Sequence, residues 1–188
     1  DGDDGLEDAA AAYYGNANLL PVAGVLAAIR LLPAQLPRAV VACIGPFASP
    51  HVEAWTQVGH RPRLLQNAPL PRALAAATPY VLLANPNDLS ASQHSHAAAV
   101  DAAKQLKKRG GWLIVDESLI DPTPEESLTP LAGTDAAPNL IVLRSLDHFF
   151  GLAGARVGFV CAAPELLQKM AAAMGPWTVA GPSRAAAR

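Results

Sequence analysis

The chain has 188 residues and a formal net charge of −2, from 14 Lys and Arg against 16 Asp and Glu. Hydrophobic residues make up 51% and charged ones 16%, which excludes a disordered chain and, with no basic stripe, argues against nucleic acid as a partner. The length suits one domain with a sizeable core; no apolar run reaches membrane-spanning length and no signal peptide opens the chain, so a soluble cytoplasmic protein is expected.

In chain order, LEDAAAAYYG predicts a short helix stopped by Gly15. The stretch NANLLPVAG reads as a turn, and VLAAIRLLP after it as a helix closed by Pro33. AVVACI (39–44) is a continuous apolar run and predicts a buried strand. HVEAWTQVG (51–59) predicts a helix, PRLLQ (62–66) a short strand, PRALAAA (71–77) a helix and YVLLAN (80–85) a strand. SQHSHAAAVDAAKQLKKRG (92–110) predicts a longer helix whose cationic end, Lys104 to Arg109, suits the helix dipole. WLIVDES (112–118), LIVLRS (140–145) and ARVGFVCAA (155–163) follow as strands, and PELLQKMAAAMG (164–175) as a helix with Pro164 in its first turn. Cys43 and Cys161 lie inside apolar runs and read as buried strand thiols; no metal-binding cysteine pattern is present.

This alternation implies βαβ units, and so an α/β three-layer sandwich with a mostly parallel sheet and helices on both faces. In such folds ligands bind beyond the C-terminal ends of the strands. There the chain places Asn85-Pro86-Asn87-Asp88 after YVLLA, Asp116-Glu117 after WLIV, and Ser145 after LIVLR, about thirty residues apart. Ser145 opens the stretch SLDHFFGLAGARVGF.

That order resembles the large, cofactor-binding domain of fold-type I pyridoxal-phosphate enzymes, the class I/II aminotransferase superfamily. LLPVAG before a helix, the Asn-Pro-Asn turn, the Asp-Glu strand end, FFGLAGARVGF and GPWTVAGP narrow the likeness. They resemble the threonine-phosphate decarboxylases of cobalamin biosynthesis, kin of the histidinol-phosphate aminotransferases. The resemblance covers nearly all of the chain and implies a single domain over residues 1–188, the middle of a longer homodimeric enzyme with an N-terminal arm and a C-terminal small domain. It implies pyridoxal phosphate as cofactor and a small phosphorylated amino acid as ligand. Asp116 takes the place of the acid that pairs with the pyridine nitrogen. Arg156 takes that of the guanidinium on the cofactor phosphate. Ser145 matches a phosphate-binding hydroxyl, and Tyr14 the tyrosine that reaches the partner subunit's phosphate.

Other positions depart from the family's pattern. After Gly24 of the PVAG turn, Val25-Leu26 stand where the family has Ser-Gln or another small hydroxyl pair. Phe47 stands for the stacking tyrosine, Asp88 for the asparagine that meets the ring hydroxyl, and Leu119 for an aromatic. The position of the Schiff-base lysine holds His148. Imidazole lacks the primary amine that condenses with an aldehyde and shuttles the proton, so covalent attachment is not expected. His148 then reads as a loop histidine or, less simply, as a general acid or base. Arg156 reads as a cofactor grip or a generic anion grip. His94 and His96 read as surface helix residues, and Trp112 and Trp177 as core or interface aromatics. Two functions follow: a pyridoxal-phosphate lyase acting on threonine phosphate, or an inactive homologue that binds a phosphate-bearing ligand or pairs with a partner subunit.

Overall fold

A computed structural model describes residues 4–47 and 49–188, apart from the side chain of Ser49. Seven strands form one sheet in the order β1-β7-β6-β5-β4-β2-β3. They are β1 (Leu19–Val22), β2 (Val40–Gly45), β3 (Arg61–Gln66), β4 (Tyr80–Ala84), β5 (Trp112–Asp116), β6 (Leu140–Ser145) and β7 (Gly158–Cys161). The central pairs β2–β4, β4–β5 and β5–β6 are parallel, as is β2–β3 at one edge. β7 runs antiparallel to both β6 and β1. The expected mostly parallel α/β sheet is therefore present, with one reversed strand.

Two corrections concern the start of the chain. LLPV, expected inside a turn, is the edge strand β1, paired Leu19 to Cys161 and Val22 to Gly158. Its proline is tolerated because an edge strand has one side free of ladder hydrogen bonds, and Pro62 sits likewise in the other edge strand, β3. The predicted helix VLAAIRLLP divides into α2 (Val25–Leu31) and one tighter 3-10 turn over Leu32–Gln35, where Pro33 enters.

The remaining helices are α1 (Leu6–Tyr14), α3 (Ser49–Gln57), α4 (Leu70–Ala75), α5 (His96–Lys108), α6 (Pro164–Met174) and α7 (Gly181–Ala187). The predicted helix from residue 92 begins only at His96, because the Ser95 hydroxyl accepts from the Ala98 N–H at 3.2 Å and caps it there. His94 lies before the helix.

Alternate residues of each strand face opposite sides. Val41, Cys43, Leu82, Ile114, Ile141 and Leu143 pack under Trp55, Ile29 and Met170 of α3, α2 and α6. Ala42, Val81, Leu83, Val115 and Val142 pack under Leu74 and Leu106 of α4 and α5. Both cysteines are buried and unpaired, as their apolar runs predicted. A third cluster joins Leu6 and Tyr14 of α1 to Phe159 of β7. Arg184 of α7 closes it from outside with a bidentate grip on Asp4 at 2.7 Å and a 2.6 Å contact to Glu7. Among the described residues no helix is long and apolar enough to cross a membrane.

Candidate functional site

The C-terminal ends of the central strands open on a cleft of about 180 Å³. Phe47 and His51 follow β2, Ala84, Pro86 and Asp88 end and follow β4, Asp116, Ser118 and Leu119 end and follow β5, and His148 comes from the loop after β6. Phe47, Asp88, Asp116 and His148, all anticipated as site residues, thus share one cleft. The Asn-Pro-Asn turn shapes its wall. Asn85 accepts from the His94 N–H at 2.8 Å and donates to the His94 carbonyl at 3.0 Å, and Asn87 donates to the Pro46 carbonyl at 2.7 Å. Both amides are used internally, which leaves Asp88 exposed on the cleft wall.

Asp116 is the best-connected group in the cleft. Its Oδ1 accepts from the Ser118 N–H at 3.0 Å and from the Ser118 hydroxyl at 2.5 Å. Its Oδ2 meets His51 Nε2 at 2.8 Å. Burial pushes this carboxyl up, but the hydrogen bonds from His51 and Ser118 outweigh burial and hold it below the usual carboxylate range. Sequence reasoning treated His51 only as the first residue of a helix. The signal that would have found it is position: α3 starts at the same rim as the β2 strand end, so a titratable residue in its first turn faces the cleft.

The other anticipated residues gather at a second point along the rim. Gly24 holds φ +80, and a Cβ there would come within 2.8 Å of Arg156 Nη2, so glycine is what lets the guanidinium lie against this turn. Arg156 Nη1 lies 3.7 Å from Asp147 Oδ2. Ser145 is buried, and its hydroxyl accepts from the Asp147 N–H at 3.1 Å. Val25 and Leu26 are half-buried at the start of α2 and bring no polar side chain. Tyr14 is not in the cleft. It is 5% exposed, stacked under the Arg144 guanidinium at 4.5 Å, while its neighbour Tyr13 is the exposed one.

Behind the rim, on the opposite face of the same strands, lies a buried network the sequence did not reveal. Glu117 accepts from the Ser127 hydroxyl at 2.6 Å, the Leu128 N–H at 2.7 Å and the Thr129 hydroxyl at 2.9 Å. Arg144 Nη1 donates to the same two hydroxyls, and Nη2 pairs with Asp121. Burial holds the Glu117 carboxyl above the usual range despite these donors.

The sheet order, the reversed β7 and a cleft over the strand ends define an aminotransferase-type large domain. Comparison with known proteins gives the same class: the aminotransferase class I and II family profile matches residues 1–188, and the chain belongs to that family. It is 43% identical to the threonine-phosphate decarboxylase of Pseudomonas aeruginosa, over 97% of this chain and 54% of the relative. It is 36% identical to that of a Sinorhizobium species, over 96% and 54%. The chain therefore spans about half the length of these relatives. The L-threonine-O-3-phosphate decarboxylase structure from Porphyromonas gingivalis superposes with TM-score 0.86 at 20% identity, covering 97% of this chain and 59% of that one. Histidinol-phosphate aminotransferase from Sinorhizobium meliloti, solved with pyridoxal-5'-phosphate, superposes at 0.85 with 25% identity, over 97% and 52%.

Members of this family depend on pyridoxal phosphate. The residues present do not fit the group as a covalently held cofactor. Among the described residues no lysine lines the cleft, and the His148 imidazole cannot form an imine. Both oxygens of Asp116 already carry partners, Arg156 already faces Asp147, and α2 begins with two aliphatic side chains.

Proposed function

We propose that this chain is a catalytically silent homologue of the threonine-phosphate decarboxylases, keeping their large-domain fold and acting through binding and assembly. One observation carries this reading: the cleft presents His148, and the chain's four lysines are elsewhere, Lys104, Lys107 and Lys108 on α5 and Lys169 on α6. Decarboxylation leaves an electron pair that needs a sink, which the cofactor supplies in this family. Without a primary amine in the cleft this chain cannot attach that sink covalently.

The remaining cleft suits a small phosphorylated amino-acid-like molecule held without a covalent bond. The partner in assembly is a second copy of the chain. Tyr13, Phe149 and Phe150 support this: all three are exposed, and the Phe150 ring meets Phe149 at 5.1 Å and Tyr13 at 5.7 Å, an aromatic patch of the kind that marks interaction surfaces. The two unpaired thiols suit a reducing cytoplasm.

Overall identity of 43% over 97% of the chain favours a second reading, an active decarboxylase. One experiment separates them. The chain is mixed with pyridoxal phosphate, treated with borohydride and weighed, and in parallel offered threonine phosphate. The silent homologue gives no carbon dioxide, and only scattered pyridoxyl labelling of its four exposed lysines. An adduct mapped to one lysine, with release of carbon dioxide, would establish the decarboxylase.

A further inference from the structure

We infer that the Asp147 carboxylate is a built-in occupant of the anion cradle formed by Gly24, Ser145 and Arg156, and keeps that cradle closed to phosphate. The backbone after β6 carries Asp147 directly onto these residues. Its N–H donates to the Ser145 hydroxyl at 3.1 Å, which fixes the turn, and its Oδ2 stands 3.7 Å from Arg156 Nη1. The guanidinium is in turn pressed against Gly24, at a spacing no residue with a Cβ allows. Arg156 adopts φ +53, a left-handed conformation that non-glycine residues rarely enter and that persists where surrounding contacts impose it.

The charges explain the closure. Among the described residues Arg156 is the cation of the cradle, and Asp147 stands against it. The second carboxylate oxygen, Oδ1, is buried with no protein hydrogen-bond donor. A phosphate entering beside Arg156 would face the carboxylate whose Oδ2 already stands 3.7 Å from Nη1, and like charges in a shared site oppose each other strongly. A tethered carboxylate also competes at a high effective concentration. The latch is nonetheless light. Arg156 is 51% exposed, and half-exposed ion pairs hold only weakly, so removing one charge is enough to open it.

The test uses the chain as it stands, with inorganic phosphate and pyridoxal phosphate as probes, read by calorimetry and by the shift in melting temperature at low salt. Asp147→Asn keeps the shape and removes the charge. It should tighten inorganic phosphate binding by roughly three- to tenfold, and the gain should shrink as salt rises. Asp147→Ser, a second route to the same opening, should move binding in the same direction. Adding Arg156→Gln to Asp147→Asn should abolish the gain. Equal phosphate affinity in wild type and both Asp147 variants would overturn the inference, and so would a gain that survives Arg156→Gln. The outcome is independent of the proposed silence: borohydride trapping reads the lysine-free cleft, phosphate binding reads Asp147, and either can fail alone.

Discussion

Asp116 and Glu117 are consecutive in sequence and lie on opposite faces of one sheet, and their surroundings differ in kind. Asp116 faces the cleft, where its two oxygens share a histidine and a serine at the rim. Glu117 faces inward, where three donors and a guanidinium surround it away from water. Their proton affinities shift in opposite directions for that reason, Asp116 downward and Glu117 upward. The inner site is a framework that ties β5 and β6 to the 121–131 segment. A rim side chain can change with less disturbance to packing than one in the inner network. The lesson is that this fold separates holding from chemistry by a single residue step along a strand.

The sharpest way to break that separation is Glu117→Ala. It removes the acceptor of three buried hydrogen bonds and leaves Arg144 with less compensation, so a loss of about 3 kcal/mol in urea unfolding is expected. A loss below about 0.5 kcal/mol, the scale of surface substitutions, would mean the inner network is no framework at all.

A smaller effect is expected at His51→Phe, which strips Asp116 of one partner and should cost about 1 kcal/mol near pH 6. Because the folded Asp116 carboxyl titrates below its unfolded value of about 3.9, the stability it contributes is present above that pH and is lost as the pH falls toward the folded value. The gap between wild type and His51→Phe should therefore narrow on acidification below about pH 4. Parallel stability curves across that range would show that His51 does not tune Asp116.

The smallest effect on stability is expected at His148→Lys, an exposed rim position, within about 0.5 kcal/mol of wild type. Its value lies in chemistry. Alone it should not give full decarboxylation of threonine phosphate, because Val25 and Leu26 bring no polar side chain to the start of α2; placing Ser-Gln at 25 and 26 as well tests how much a polar helix start adds. Full activity from the single substitution would show that only one residue separates this chain from an enzyme.

Much of the scaffold was legible because continuous apolar runs such as AVVACI and WLIV have one physical explanation, a strand buried on both faces. β1 escaped notice because four residues with a proline carry no alternation. The reversal of β7 had a signal that apolar patterning does not contain: no helix of crossover length separates it from β6, and a parallel partner would require one. α7 carries no amphipathic period in GPSRAAAR, and its position depends on Arg184 reaching Asp4 from the far end of the sequence. At the site, positions ending strands were readable one by one. His51 on Asp116 and Asp147 on Arg156 were not, since each pair is made by side chains that meet only after folding, and no spacing rule encodes the meeting.

The place of β7 has a consequence for the order in which the molecule is built. β1 is the first strand in the chain, yet among the described residues its only sheet neighbour is β7, the last. Leu19 waits for Cys161 and Val22 for Gly158, while β2 to β6 assemble from segments nearer in sequence. During synthesis β1 therefore spends the passage of more than a hundred residues without its β7 partner, and closing so long a loop is the slow, late step of a fold whose centre forms from shorter ones.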